Sequence, residues 1–186
     1  MPTHIIGGKF RGAQLLVPDN APVRPTLGRI REDLFNILQP QIRGCRFLDL
    51  FAGAGTVGLE ALSRSAEFCT FVDSHPVSVQ AIRQNLQKLN LYSCYDIISL
   101  NSENAINTLS RQGQKFDLVF IDPPYDLNLP QNSISGVLAG GLLQSGGTII
   151  VQAERSAALE ERYPPCRLIR KKVYRGSSLW LFSEET

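Results

Sequence analysis

Phe47-Leu48-Asp49-Leu50-Phe51-Ala52-Gly53-Ala54-Gly55-Thr56-Val57-Gly58 is the stretch from which the rest of this chain is read. A short apolar run carrying an acid passes into three glycines spaced G-x-G-x-x-G and then into a helix-compatible segment. Glycines at that spacing let backbone approach a ligand closely and tolerate positive φ. A strand, a glycine turn and a helix in that order open a parallel sheet, with a ligand beyond the carboxyl end of the strand.

Outward from that segment, the pattern is strand–helix alternation. Strand-like apolar runs cover 47–51, 68–72, 96–100, 116–121 and 148–152. Helical patterns lie between them, most clearly over 77–89, where Pro76 suits a first-turn position. Buried strands alternating with helices imply a mainly parallel sheet covered on both faces. The end differs: runs at 166–174 and 178–182 flank Gly176 and read as an antiparallel hairpin. At the other end, runs at 4–6 and 13–17 separated by glycines form a small hairpin, and a helix is expected over 26–38, ending before Pro40. The expected architecture is α/β: a Rossmann-like, seven-stranded, doubly wound sheet with a C-terminal antiparallel hairpin and a short basic N-terminal extension. Residues 1–40 form that extension and 41–186 the main domain.

The chain has 186 residues, 43% hydrophobic and 19% charged, as in ordinary globular proteins. The N-terminus has no apolar leader pattern and no stretch reaches membrane-spanning length, so a cytoplasmic protein is expected. Four scattered cysteines form no C-x-x-C pair, which argues against a disulfide framework or a metal site. Net charge is only +2, yet it is segregated. Residues 1–31 carry net +4, residues 166–176 net +5, and residues 32–165 net −5. Basic ends around an acidic middle fit a nucleic-acid surface beside a site for a cationic ligand; the plainer alternative is a set of solvated faces.

The glycine turn alone fits a nicotinamide-dependent dehydrogenase as well, and Asp73, eighteen residues past Gly55, stands where a ribose-hydroxyl acceptor belongs. Asp49 tilts the choice. An acid four residues ahead of the first glycine sits badly against a pyrophosphate but suits a ligand bearing an ammonium and a sulfonium, such as S-adenosyl-L-methionine (SAM).

The second informative segment is Asp122-Pro123-Pro124-Tyr125, directly after the apolar run 118–121. Proline has no backbone N–H, so this loop offers acceptors with few competing donors. An exocyclic amine of a nucleobase can donate to Asp122 and to the Pro123 carbonyl while Tyr125 stacks on the ring. A capped βα loop with a proline stop is the plainer reading of the same four residues.

Together, DPPY and the glycine turn resemble the amino-methylating branch of the class I SAM-dependent methyltransferases. Three further blocks resemble the RsmD family: Ile5-Ile6-Gly7-Gly8-Lys9-Phe10-Arg11-Gly12, then Arg24-Pro25-Thr26, then Arg29-Ile30-Arg31-Glu32 with Leu34-Phe35-Asn36-Ile37-Leu38. The resemblance covers nearly the whole chain and implies SAM-dependent methylation of the N2 amine of a guanine in bacterial 16S ribosomal RNA of the small ribosomal subunit. It implies that Asp49, Phe51, Gly53 and Gly55 cradle the cofactor, with Asp73 and Ser74 at its ribose and Asn104-Ala105 at its adenine. It implies that Asp122, Pro123, Pro124 and Tyr125 hold the target base, with Asp122 also bordering the cofactor. Lys9, Arg11, Arg24, Arg29 and Arg31 become candidate RNA contacts. No metal is implied, and a monomer is the expectation for this size.

Two rivals share parts of this pattern. A DNA adenine or cytosine amino-methyltransferase would use the same DPPY chemistry, but the chain lacks an additional target-recognition domain. A SAM- or RNA-binding assembly factor without turnover would not need the complete set of Asp49, Asp73 and Asp122. His4 and His75 stand isolated, Trp180 reads as core, and the basic run 167–175 alternates like an edge strand.

Overall fold

The computed structural model describes residues 3–18, 28–124 and 128–184. It begins with two short antiparallel strands, β1 (Thr3–His4) and β2 (Gln14–Leu15), followed by helix α1 (Gly28–Ile42). Then come β3 (Arg46–Asp49), α2 (Thr56–Ser63), β4 (Phe68–Val72), α3 (Pro76–Lys88), β5 (Tyr95–Ile98), α4 (Ser102–Arg111), β6 (Phe116–Ile121), α5 (Leu129–Ala139) and β7 (Leu143–Glu154). The chain closes with β8 (Arg162–Tyr163), β9 (Cys166–Val173) and β10 (Ser177–Glu184).

The main sheet runs β5-β4-β3-β6-β7-β10-β9-β8. Its first five strands are parallel and the last three join antiparallel. The expected seven strands are therefore present, and the two-residue β8 adds an eighth at the edge. Strand order reverses between β3 and β6, which opens a crevice at their carboxyl ends. One face of the sheet, carrying Phe47, Phe71, Leu118, Phe120, Ile150 and Leu179, packs against apolar residues of α1, α2 and α3. The other, carrying Leu48, Val72, Val119, Ile121 and Trp180, packs against α4 and α5. Alternation of strand side chains between faces produces this split. Each fully buried Phe or Leu contributes about 1.5–3 kcal/mol.

Helix α1 continues through Pro40, before which the sequence pattern predicts its end. Only the last turn is affected, and Ile42 is buried beyond the proline. The expected boundary at 40/41 thus falls inside α1. Ile5, Leu15, Ile30, Leu34 and Phe35 share a core with Phe47 and Leu59, so the N-terminal elements and the sheet are packed as one body.

A buried carboxylate secures that docking. Glu60, fully buried on α2, accepts hydrogen bonds from the backbone N–H groups of Ile6 and Gly7, each 2.8 Å. It also pairs with Arg64 at 2.7 Å and Arg31 at 3.7 Å. Arg31 donates in turn to the His4 carbonyl. The chain then passes over the end of α2, where Lys9 N donates to Ser63 O. At Gly8, with φ +78, a Cβ would lie 1.9 Å from that same carbonyl oxygen, so only glycine permits the approach.

Among the described residues no helix is long and apolar enough to cross a membrane, and no cluster of three or more His, Cys, Asp or Glu could hold a metal ion.

Candidate active site

Asp49 is the last residue of β3 and Asp122 immediately follows β6, the neighbouring strand across the reversal. Phe120 is the register partner of Asp49, so the two acids lie at the same end of the sheet. Asp73 follows β4, on the other side of β3. Three carboxylates thus line the crevice the topology opens.

Asp49 is closed to solvent, and its Oδ2 accepts from Gly58 N at 3.0 Å, in the first turn of α2. Burial pushes its carboxyl up to about 7; the Gly58 N–H opposes the rise, while the charges of Asp122 and Asp73 add to it. A cation in the crevice would relieve both the repulsion and the unmet charge. Asp73 Oδ2 accepts from Gly53 N at 2.8 Å and its Oδ1 from His75 N at 2.8 Å, so it fixes the glycine turn as well as bordering it. Gly55 caps α2 with φ 79, a left-handed conformation that favours glycine. Asn85, buried on α3, ties this turn to the N-terminal elements: its Nδ2 donates to Ala54 O and Leu16 O, and its Oδ1 accepts from Leu16 N.

The remaining sequence-selected residues divide. Phe51 is half-buried and Ser74 exposed at the crevice rim. Asn104 is exposed in the first turn of α4, with its backbone N–H capped by Asn101 Oδ1 at 2.8 Å. Its neighbour Ala105 is fully buried in the core under α4, where helix periodicity turns its side chain inward. Asp122 and Pro123 are half-buried and Pro124 exposed. Tyr125 and Arg24 lie outside the described residues. Lys9, Arg11 and Arg29 are exposed. Arg31 is not: it is 2% exposed and turned into the Glu60 pair, so the expected RNA contact is corrected to a structural one.

Sequence reasoning missed Gln152, whose Nε2 donates to Asp122 Oδ2 at 3.1 Å. Ile121 pairs with Val151, so parallel register sets Gln152 beside Asp122. A polar residue closing the strand-like run 148–152 was the available signal. A surface depression lined by Gln41, Arg43, Cys45, Asp117 and Gly146 lies at the opposite end of the strands and contains none of these groups.

Residues 3–183 match the family described as Conserved hypothetical protein 95. Ribosomal RNA small subunit methyltransferase D of Escherichia coli strain K12 is 36% identical over 181 residues, 97% of this chain and 89% of the relative. The Haemophilus influenzae protein of the same name is 36% identical over 156 residues, 83% of this chain and 80% of the relative. The solved structure of Escherichia coli yhhF superposes with a TM-score of 0.87 at 31% identity, covering 100% of this chain and 99% of that one. These matches bear out the resemblance to the RsmD family and the α/β architecture.

Proposed function

The chain belongs to the Conserved hypothetical protein 95 family, and from that premise we propose that it methylates the exocyclic N2 amine of a guanine in 16S ribosomal RNA, with SAM as methyl donor. The observation that carries this reading is the adjacency of Asp122-Pro123 to the crevice formed by Asp49, Asp73 and the glycine turn. The relatives' name, ribosomal RNA small subunit methyltransferase D, supports the substrate.

The acidic crevice fits SAM, because the charges of Asp122 and Asp73 add to the penalty on ionised Asp49 and a ligand with an ammonium and a sulfonium offsets it. Asp49, Gly53, Gly55 and Asp73 would hold it, with Phe51, Ser74 and Asn104 at the rim. When bound, SAM supplies an electrophilic methyl group on a sulfonium. The protein's own task is then to present the amine. Asp122 and the Pro123 carbonyl accept its two N–H bonds and draw the nitrogen, whose lone pair is otherwise delocalised into the ring, toward tetrahedral geometry. Tyr125 stacks on the base. Alignment of this kind is worth about 7–11 kcal/mol of barrier. The base has to leave its stack to enter, which favours an unpaired nucleotide.

Exposed Lys9, Arg11 and Arg29, with Arg24, bind the RNA backbone. A ribosomal substrate implies a cytoplasmic protein, and the chain acts as a monomer in this reading. Replacing Asp122 tests it. In Asp122→Ala, transfer of label from SAM to small-subunit RNA falls by about 100- to 1000-fold, while SAM affinity by calorimetry stays within about threefold. Transfer at the unsubstituted rate would refute the base-holding role.

A further inference from the structure

We infer that Gln152 is a specificity-determining residue that selects guanine through its N1–H, an assignment that rests on the methyl transfer proposed above. A carboxylate can only accept, so the end of the Gln152 amide that meets Asp122 at 3.1 Å is the NH2 end. That orientation turns Oε1 away from Asp122. Oε1 is closed to solvent and has no hydrogen-bond partner among the described residues. Buried acceptors are nearly always satisfied, and an unsatisfied one beside a reactive carboxylate calls for a donor that the described residues do not provide.

The chemistry of the base identifies that donor. Where the amine is held by Asp122 and Pro123, the next atom along the base edge comes opposite a neighbouring group of the site. In guanine the N2 amine is flanked on the Watson–Crick edge by N1–H, a donor, and on its other side by N3, an acceptor; Gln152 Oε1 suits the N1–H side. In adenine the N6 amine is flanked by N1, and in cytosine the N4 amine by N3, both acceptors. An acceptor at Gln152 Oε1 therefore completes the pattern for guanine and repels the other two. It accounts for the choice of guanine by a clamp whose remaining groups recognise any exocyclic amine. The same side chain, through Nε2, fixes the rotation of the Asp122 carboxylate.

The test uses the target guanine replaced by 2-aminopurine, which keeps the 2-amine but carries an acceptor at N1. Reconstituted small subunits with guanine or 2-aminopurine at the methylated position are compared for kcat/KM. The unsubstituted protein prefers guanine by about tenfold or more, the effect of losing one hydrogen bond to a buried acceptor. Gln152→Met, of similar length but without the amide acceptor, treats the two substrates alike within about twofold and retains SAM binding. Gln152→Leu serves as a second variant. Equal rates on both substrates by the unsubstituted protein overturn the inference with no variant needed, as does a full guanine preference surviving in Gln152→Met. Either result leaves the proposed function standing. Failure of the unsubstituted protein to methylate guanine at all would defeat both.

Discussion

At the scale of single residues, Asp49 is the most informative group, because its environment makes a prediction its identity does not. Burial raises its pKa from the ordinary 3.8 to about 7. The unfolded chain ionises this group at lower pH than the folded chain does. Its contribution therefore destabilises the ligand-free fold as pH rises from about 3.8 to about 7, and is constant above that. A cationic ligand binds the ionised form preferentially. SAM affinity is then expected to rise by up to roughly tenfold per unit as pH climbs toward about 7, with proton release on binding. Calorimetry in buffers of different ionisation heat measures both quantities. Asp49→Asn should flatten the dependence; a flat profile in the unsubstituted protein would contradict the assignment. Arg31 carries the opposite lesson. By charge it belongs with the basic N-terminal residues, yet it shares a helical face with Leu34, Phe35, Leu38 and Ile42. Spacing of three, four, seven and eleven residues marked it as inward-facing, and charge alone concealed that.

Among the elements, α2 does two jobs. Its first turn is held by Asp49 through Gly58, and its middle holds the N-terminal extension through Glu60. Glutamine at position 60 would keep one acceptor and set an NH2 group against donors, leaving Arg31 buried without its counter-charge. Breaking a buried pair in this way costs about 3–5 kcal/mol. Urea unfolding of Glu60→Gln is expected to register that loss, and the Ile6 and Gly7 amides to lose hydrogen-exchange protection. Stability within about 0.5 kcal/mol of the unsubstituted protein would show that the network is dispensable. The strands reveal which elements were legible in the sequence. Continuous apolar runs gave β4 and β6 their observed limits. β7 begins before the run at 148–152, at Leu143, which pairs with Phe116 of β6, and pairing with β10 carries it on through polar Glu154. Pairing is a tertiary effect, invisible to a local pattern. The position of Gln152 beside Asp122 is of the same kind: it requires the register of two strands thirty residues apart.

For the whole molecule, topology turns separate motifs into one site. The glycine turn and DPPY lie about seventy residues apart in the chain, and the reversal between β3 and β6 brings them to one crevice. Both motifs were legible because each places unusual residues at the end of an apolar run. The burial of Asp49 and its repulsion by Asp122 and Asp73 were not, since they depend on neighbours contributed by three strands. The basic residues lie on several elements: the docked N-terminal segment carries exposed Lys9 and Arg11, and Lys172 of β9 pairs with Asp33 of α1 at 2.7 Å, one turn from exposed Arg29. Acidic crevice and basic surface together describe a protein that binds a cationic donor and a polyanionic acceptor. The most direct measurement of that account is the identity of its product. Labelled SAM is supplied with small ribosomal subunits lacking modifications, with naked 16S RNA and with duplex DNA, and the methylated nucleoside is identified after digestion. The account predicts N2-methylguanosine from small-subunit RNA; label in DNA alone, or none with any substrate while SAM still binds, would contradict it.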